Sequence, residues 1–115
     1  PPFHASAAEA AAGTRRKLRN LAANRKDRAA PKNTLNFGGR AGELWCEGGE
    51  LAFVRRMIAE SAQRPTLCRW FTTLVSQSAR LPGLQTALAS VRATEVRIFP
   101  MQHGQKTTRI LAWRF

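Results

Sequence analysis

The chain has 115 residues, enough for one small domain or a large piece of one, and its 43% hydrophobic content argues for a packed core rather than disorder. Nineteen Lys and Arg against seven Asp and Glu leave a formal charge of +12, which points to a polyanion as partner, nucleic acid before an anionic membrane surface. No apolar run approaches the roughly 20 residues of a membrane span, and Ala5–Ala12 carries Glu9 and lacks a basic leader, so no signal peptide is expected.

The chain opens on PPFHASAAEA, without an initiator Met. From Thr14 to Arg40 the cations Arg15, Arg16, Lys17, Arg19, Arg25, Lys26, Arg28, Lys32 and Arg40 face only Asp27. Gly13, Pro31, Asn33, Asn36, Gly38 and Gly39 break this stretch, so it reads as a basic loop with room for one helical turn. A charge run of one sign repels itself unless a partner neutralises it, which favours nucleic-acid contact over a merely solvated loop.

A helix is predicted next. Leu51, Val54 and Ile58 recur at i, i+3 and i+7, with Phe53 and Met57 beside them. Gly48 and Gly49 supply the bend before it, Glu50 complements the dipole of its first turn, and Pro65 stops the chain after it. Thr66–Val75 is apolar, aromatic and β-branched, the pattern of a strand buried on both faces inside a parallel sheet. Leu84, Leu88 and Val91 define a second helix, and TEVRIFPM and TTRILAWRF close the chain as two strands. QHGQK between them suits an antiparallel hairpin. Helix, strand, helix, strand, strand is an α/β order with a mixed edge, and by itself it names no function.

Cys46 and Cys68 lack CxxC spacing, so reduced structural thiols of a cytosolic protein are expected and zinc is not. His4 and His103 form no metal or triad pattern. Trp70 and Trp113 lie in apolar strands and are expected in the core, while Trp45, before a Gly-Gly-Glu turn, is open to either packing or base stacking.

Several separate blocks then converge. Pro1–Phe3, Leu35–Gly39 (LNFGG), Glu43–Glu50 (ELWCEGGE), Trp70–Ser76 (WFTTLVS) and Gly104–Lys106 (GQK) together resemble the RlmF family of adenine-N6 methyltransferases of large-subunit ribosomal RNA. The likeness runs over essentially the whole chain. It implies an α/β fold, the C-terminal part of a Rossmann-like class I methyltransferase sheet ending in an antiparallel β-hairpin. Residues 1–3 would end an Asn-Pro-Pro-Phe loop after the fourth strand, 14–40 would be a basic RNA-binding insertion, and 41–115 would complete the sheet. The Asn would stand just before Pro1, and the strand and Gly-rich turn that bind S-adenosylmethionine would lie further upstream.

The resemblance also implies a chemistry. The amine of adenine is a poor nucleophile, because its lone pair is delocalised into the ring. Two acceptors, the Asn oxygen and the Pro1 carbonyl, would hold both N–H groups and aim that lone pair at the sulfonium methyl. Pro1 and Pro2 stiffen the loop, and Phe3 would stack on a base that is unpaired or flipped out. The donor carries the driving force, so neither a metal nor a general base is required. Arg15, Arg16, Lys17 and Arg19, with Lys106 and Arg109 of the hairpin, would contact ribosomal RNA. Other amino-group methyltransferases, acting on DNA adenine or a release-factor glutamine, remain open, as does a non-enzymatic basic RNA-binding domain. The 115 residues alone are expected to be inactive and to self-associate through the edge of the Thr66–Val75 strand.

Overall fold

The computed structural model describes residues 1–13, 15 and 44–115 of the chain. Apart from Arg15, the basic stretch 14–40 lies outside the described residues. From residue 49 onward the elements follow the predicted order: α1 (Gly49–Gln63), β1 (Phe71–Val75), a single 3-10 turn (Ser78–Arg80), α2 (Leu81–Ser90), β2 (Glu95–His103) and β3 (Lys106–Arg114). A helix over 7–13 precedes them.

The apolar spacing of α1 buries Val54 and Ile58 and carries the stripe on to Ser61. Its end is closed by the Arg64 N–H, which donates to the Ser61 carbonyl, and Pro65 then has no N–H to continue the ladder. α2 starts with Pro82 in its first turn, where the missing N–H costs nothing, and turns Leu84 and Leu88 inward.

The strands form a sheet in the order β1-β3-β2, antiparallel throughout. Gly104, with φ +60°, takes the first position of the two-residue turn between β2 and β3, a place that favours glycine. The predicted hairpin is therefore present. The strand expected over Thr66–Val75 is shorter and, among the described residues, open on one face. β1 is five residues long, pairs only with β3 among the described residues, and does so antiparallel. Residues 66–70 ahead of it turn rather than extend, as Pro65 and the bonded turn from Arg64 to Leu67 dictate.

Register separates the two faces of the sheet. Phe71, Trp113, Leu111 and Val75 lie on the face covered by the helices and join Val54, Ile58, Leu84 and Leu88 in the core. Trp113 has no exposed surface, stacks on Phe71 at 6.0 Å, and donates its indole N–H to Ser61 Oγ at 2.9 Å. On the other face Leu74, Ile110 and Phe99 form a row across the sheet, with Leu74 42% and Phe99 47% exposed. Trp70 sits on this open face, outside the expected core. The guanidinium carbons of Arg97 and Arg114 lie 5.1 and 5.2 Å from its ring centre, and both arginines pair with Glu95.

An unpaired edge beside an open apolar row is a surface that other chains can join. Residues 1–115 made alone are expected to show a mass above the monomer in light scattering as concentration rises; a monomer throughout would contradict this. Trp113→Ala, which empties the centre of the core, is expected to cost about 3–5 kcal/mol, read from the shift in a urea unfolding curve.

Candidate active site

The first residues are fixed by two sets of bonds. Glu9 N–H donates to Ser6 Oγ at 3.1 Å and Ala5 N–H donates to Glu9 Oε2 at 3.0 Å. Ser6 thus caps the helix over 7–13, while Glu9 reaches back one residue beyond the cap, a variant of the capping box. His4 pairs its backbone with the segment before α1: its N–H donates to the Leu44 carbonyl at 3.2 Å and its carbonyl accepts from Cys46 N–H at 3.0 Å. This single parallel bridge, opposite Trp45, ties the opening loop to α1. Pro2 is buried, whereas the Phe3 ring beside it is 43% exposed.

Close approach completes the clamp. Gly49 has φ +68°, and a Cβ there would stand 3.4 Å from the Phe3 carbonyl oxygen and 3.7 Å from the Ala5 nitrogen. Next to it Glu50 has no exposed surface. Its carboxylate accepts from Ser76 N–H and Ser76 Oγ, both at 2.8 Å, and pairs with Arg80 Nε at 3.2 Å. The expected role at the first turn of α1 is thus the smaller part of what Glu50 does. It joins the start of α1 to the carboxyl end of β1 and to the turn that follows.

A cleft of about 270 Å³ opens at this end of the sheet, walled by Phe3, His4 and Gly13 on one side and Ser76, Gln77 and Arg80 on the other. The crevice outside the carboxyl ends of strands is where open α/β sheets bind ligands. A larger cavity of about 440 Å³ lies between the end of α1 and the turn before β1, lined by Met57, Ser61, Leu67 and Phe71, but no charged pair is buried against it. Converging polar groups mark the smaller cleft as the candidate site.

Of the cations singled out in the sequence, Arg15 is exposed, and Arg16, Lys17 and Arg19 lie outside the described residues. Lys106 is exposed at the hairpin tip, which the register places at the same end of the sheet as the cleft. Arg109 is only 8% exposed, and its guanidinium donates to the carbonyls of Val75 and Thr107 at 3.4 and 3.3 Å. It anchors the hairpin to β1 rather than facing outward. Gln77 and Arg80 went unremarked in the sequence, and Ser76 entered only as the end of the WFTTLVS block, because no spacing rule links Ser76 to a carboxylate 26 residues away. Among the described residues no three His, Cys, Asp or Glu side chains gather to hold a metal, and no helix is long and apolar enough to cross a membrane. Nor does a strand lead into a glycine-rich turn among them, since Gly48 and Gly49 follow no strand, so none is assigned to hold a nucleotide-type donor.

The architecture and this site define a partial methyltransferase fold. Over residues 1–115 the sequence matches the family described as RNA methyltransferase, and the chain belongs to that family. It is 56% identical to a protein of Shewanella amazonensis and 51% identical to one of Photobacterium profundum, both named ribosomal RNA large subunit methyltransferase F. All of the chain aligns, but it spans only 37% and 38% of those relatives' lengths. Among solved structures it is similar to the catalytic domain of human METTL16 in complex with the MAT2A 3'UTR hairpin 6, at 29% identity and a TM-score of 0.70, over all of this chain and 38% of that one. The N-terminal domain of human METTL16 in complex with SAH is similar at 32% identity and a TM-score of 0.57, over 64% of this chain and 28% of that one.

Two glycines with positive φ give a direct comparison of loop clamping. Gly104→Ala, with nothing within 4 Å of the added carbon, is expected to cost about 1 kcal/mol of backbone strain. Gly49→Ala adds pressure on the Phe3–Ala5 backbone and is expected to cost about 2 kcal/mol or more, read from melting temperatures of the two variants.

Proposed function

We propose that the full-length protein methylates N6 of an adenine in large-subunit ribosomal RNA, using S-adenosylmethionine, and that residues 1–3 form part of its acceptor site. The observation that carries this reading is the placement of Phe3: an exposed ring, on a backbone clamped by Leu44, Cys46 and Gly49, at the mouth of a cleft beyond the carboxyl end of β1. An enzyme for which positioning supplies rate needs a loop that cannot yield, and the two prolines and the Gly49 contact supply one. The Phe3 ring offers a stacking surface for an unpaired base, and the Pro1 carbonyl is a hydrogen-bond acceptor for an amine N–H. S-adenosylmethionine, when bound, supplies an electrophilic methyl group. The names of the relatives and the SAH complex of a similar structure support the RNA and the donor. Such an enzyme acts in the cytoplasm, where ribosomes are assembled in bacteria.

On the RNA side, Arg15, Arg16, Lys17 and Arg19 follow the loop directly in sequence, and Lys106 faces outward at the same end of the sheet; together they grip phosphates around the target base. Arg109 contributes by holding the hairpin that carries Lys106.

Full-length protein incubated with methyl-labelled S-adenosylmethionine and large-subunit RNA, with release factor and DNA as competing acceptors, is expected to yield labelled N6-methyladenosine by nucleoside mass spectrometry. Label on the release-factor glutamine or on DNA would replace this reading. Phe3→Ala is expected to lower kcat/KM by roughly 5- to 150-fold, matching a stacking contact of about 1–3 kcal/mol, while Phe3→Tyr keeps most of the activity. If the nine cations of 14–40 all neutralise phosphates of a single strand, log affinity against log salt falls with a slope of roughly −6, and a slope near zero would remove the stretch from the interface.

A further inference from the structure

Arg80 is the only described cation that is paired to a fully buried carboxylate, and that pairing uses one of its three nitrogens. Nε points at Glu50 Oε2 and also lies 3.3 Å from Gln77 Oε1. The two terminal nitrogens make no hydrogen bond to the described residues, and neither is sealed from solvent without a partner. The side chain retains 22% exposure and lines the cleft together with Phe3.

We propose that Arg80 grips the phosphate next to the base stacked on Phe3, and that Glu50 is the positioning residue that aims it. The inference rests on the RNA reading given above and adds a named contact to it. A guanidinium presents its donors as a rigid fork suited to a phosphate's oxygens. Here one edge of the fork is fixed from behind, so little rotamer entropy remains to be lost when the other edge meets an anion. Glu50 can hold that geometry because Ser76 donates to both of its oxygens, the N–H to Oε1 and the hydroxyl to Oε2. The ion pair does not cancel the site. The carboxylate has no exposed surface, while the guanidinium side chain keeps 22% exposure and lines the cleft, its Nη1 lying 3.7 Å from where a Cβ of Gly49 would stand. One cleft then holds both halves of a nucleotide: an aromatic face for the base and a fork for the flanking phosphodiester.

The test uses the full-length protein and the stretch of large-subunit RNA that it methylates, with affinity measured across a salt series. Arg80→Ala is expected to weaken binding about tenfold and to make the salt slope shallower by roughly 0.7, the share of one phosphate on a single strand. Should that variant unfold, Arg80→Lys keeps a charge against Glu50 but spends its only nitrogen there, and the same loss is expected. Replacing the flanking phosphate by a neutral methylphosphonate is expected to reproduce the loss in the native protein and to add nothing in Arg80→Lys. Glu50→Gln is expected to weaken RNA binding in the native background but not in the Arg80→Lys background, a non-additivity that general destabilisation does not produce. Unchanged affinity and slope in folded Arg80→Lys, or full additivity with the neutral phosphate, overturns the inference while leaving the methylation reading intact. Native protein that binds no RNA overturns both.

Discussion

Glu50 has no contact with water, and nearly every feature of the working end of this chain is arranged around that fact. A buried carboxylate is tolerable only when its lone pairs are met and its charge is balanced. Ser76 meets them twice and Arg80 balances the charge. Because these partners come from the end of β1 and the turn after it, satisfying one side chain fixes where α1 begins relative to the sheet. The loop of Pro1–Phe3 leans on the same place through Gly49. Removing Arg80 would leave Glu50 buried with its charge unbalanced, so the arrangement holds together as a unit.

The surplus of positive charge divides into cations that hold the fold and cations free to meet a partner. Arg109 is spent on two backbone carbonyls inside the molecule, and Arg97 and Arg114 are gathered around Glu95 and the Trp70 ring. Lys106 and Arg15 stand exposed. Net charge points toward a polyanion as partner. It does not say which arginines meet that partner, because a guanidinium with five donors serves equally well as an internal strut.

The sequence was most legible where periodicity rules apply. Leu51, Val54 and Ile58 marked α1, Leu84 and Leu88 marked α2, and Gly104 marked the hairpin, because each is a local consequence of helix or turn geometry. Trp113 was rightly placed in the core. Trp70 was not, since an aromatic residue next to a strand can turn to either face, and a pair of arginines on neighbouring strands holds it at the surface. The strand expected over Thr66–Val75 is shorter, Phe71–Val75, for a related reason. An apolar run reports that a segment avoids water, and it does not report how far the segment extends. The helix over 7–13 had a readable signal, Ser6 and Glu9 spaced as a capping box ahead of an alanine run. The tie between Glu50 and Ser76 had none, because contacts across 26 residues leave no spacing to read.

β3 is third in the chain yet lies in the middle of the sheet, with β1 and β2 on its flanks and no bond between those two. Among the described residues β1 and β2 therefore have no strand mate until β3 is made. Both wait for residues 106–114, which zip into the gap and deliver Trp113 and Leu111 to the helices in the same movement. Without that strand the helices would lie over an open gap between β1 and β2.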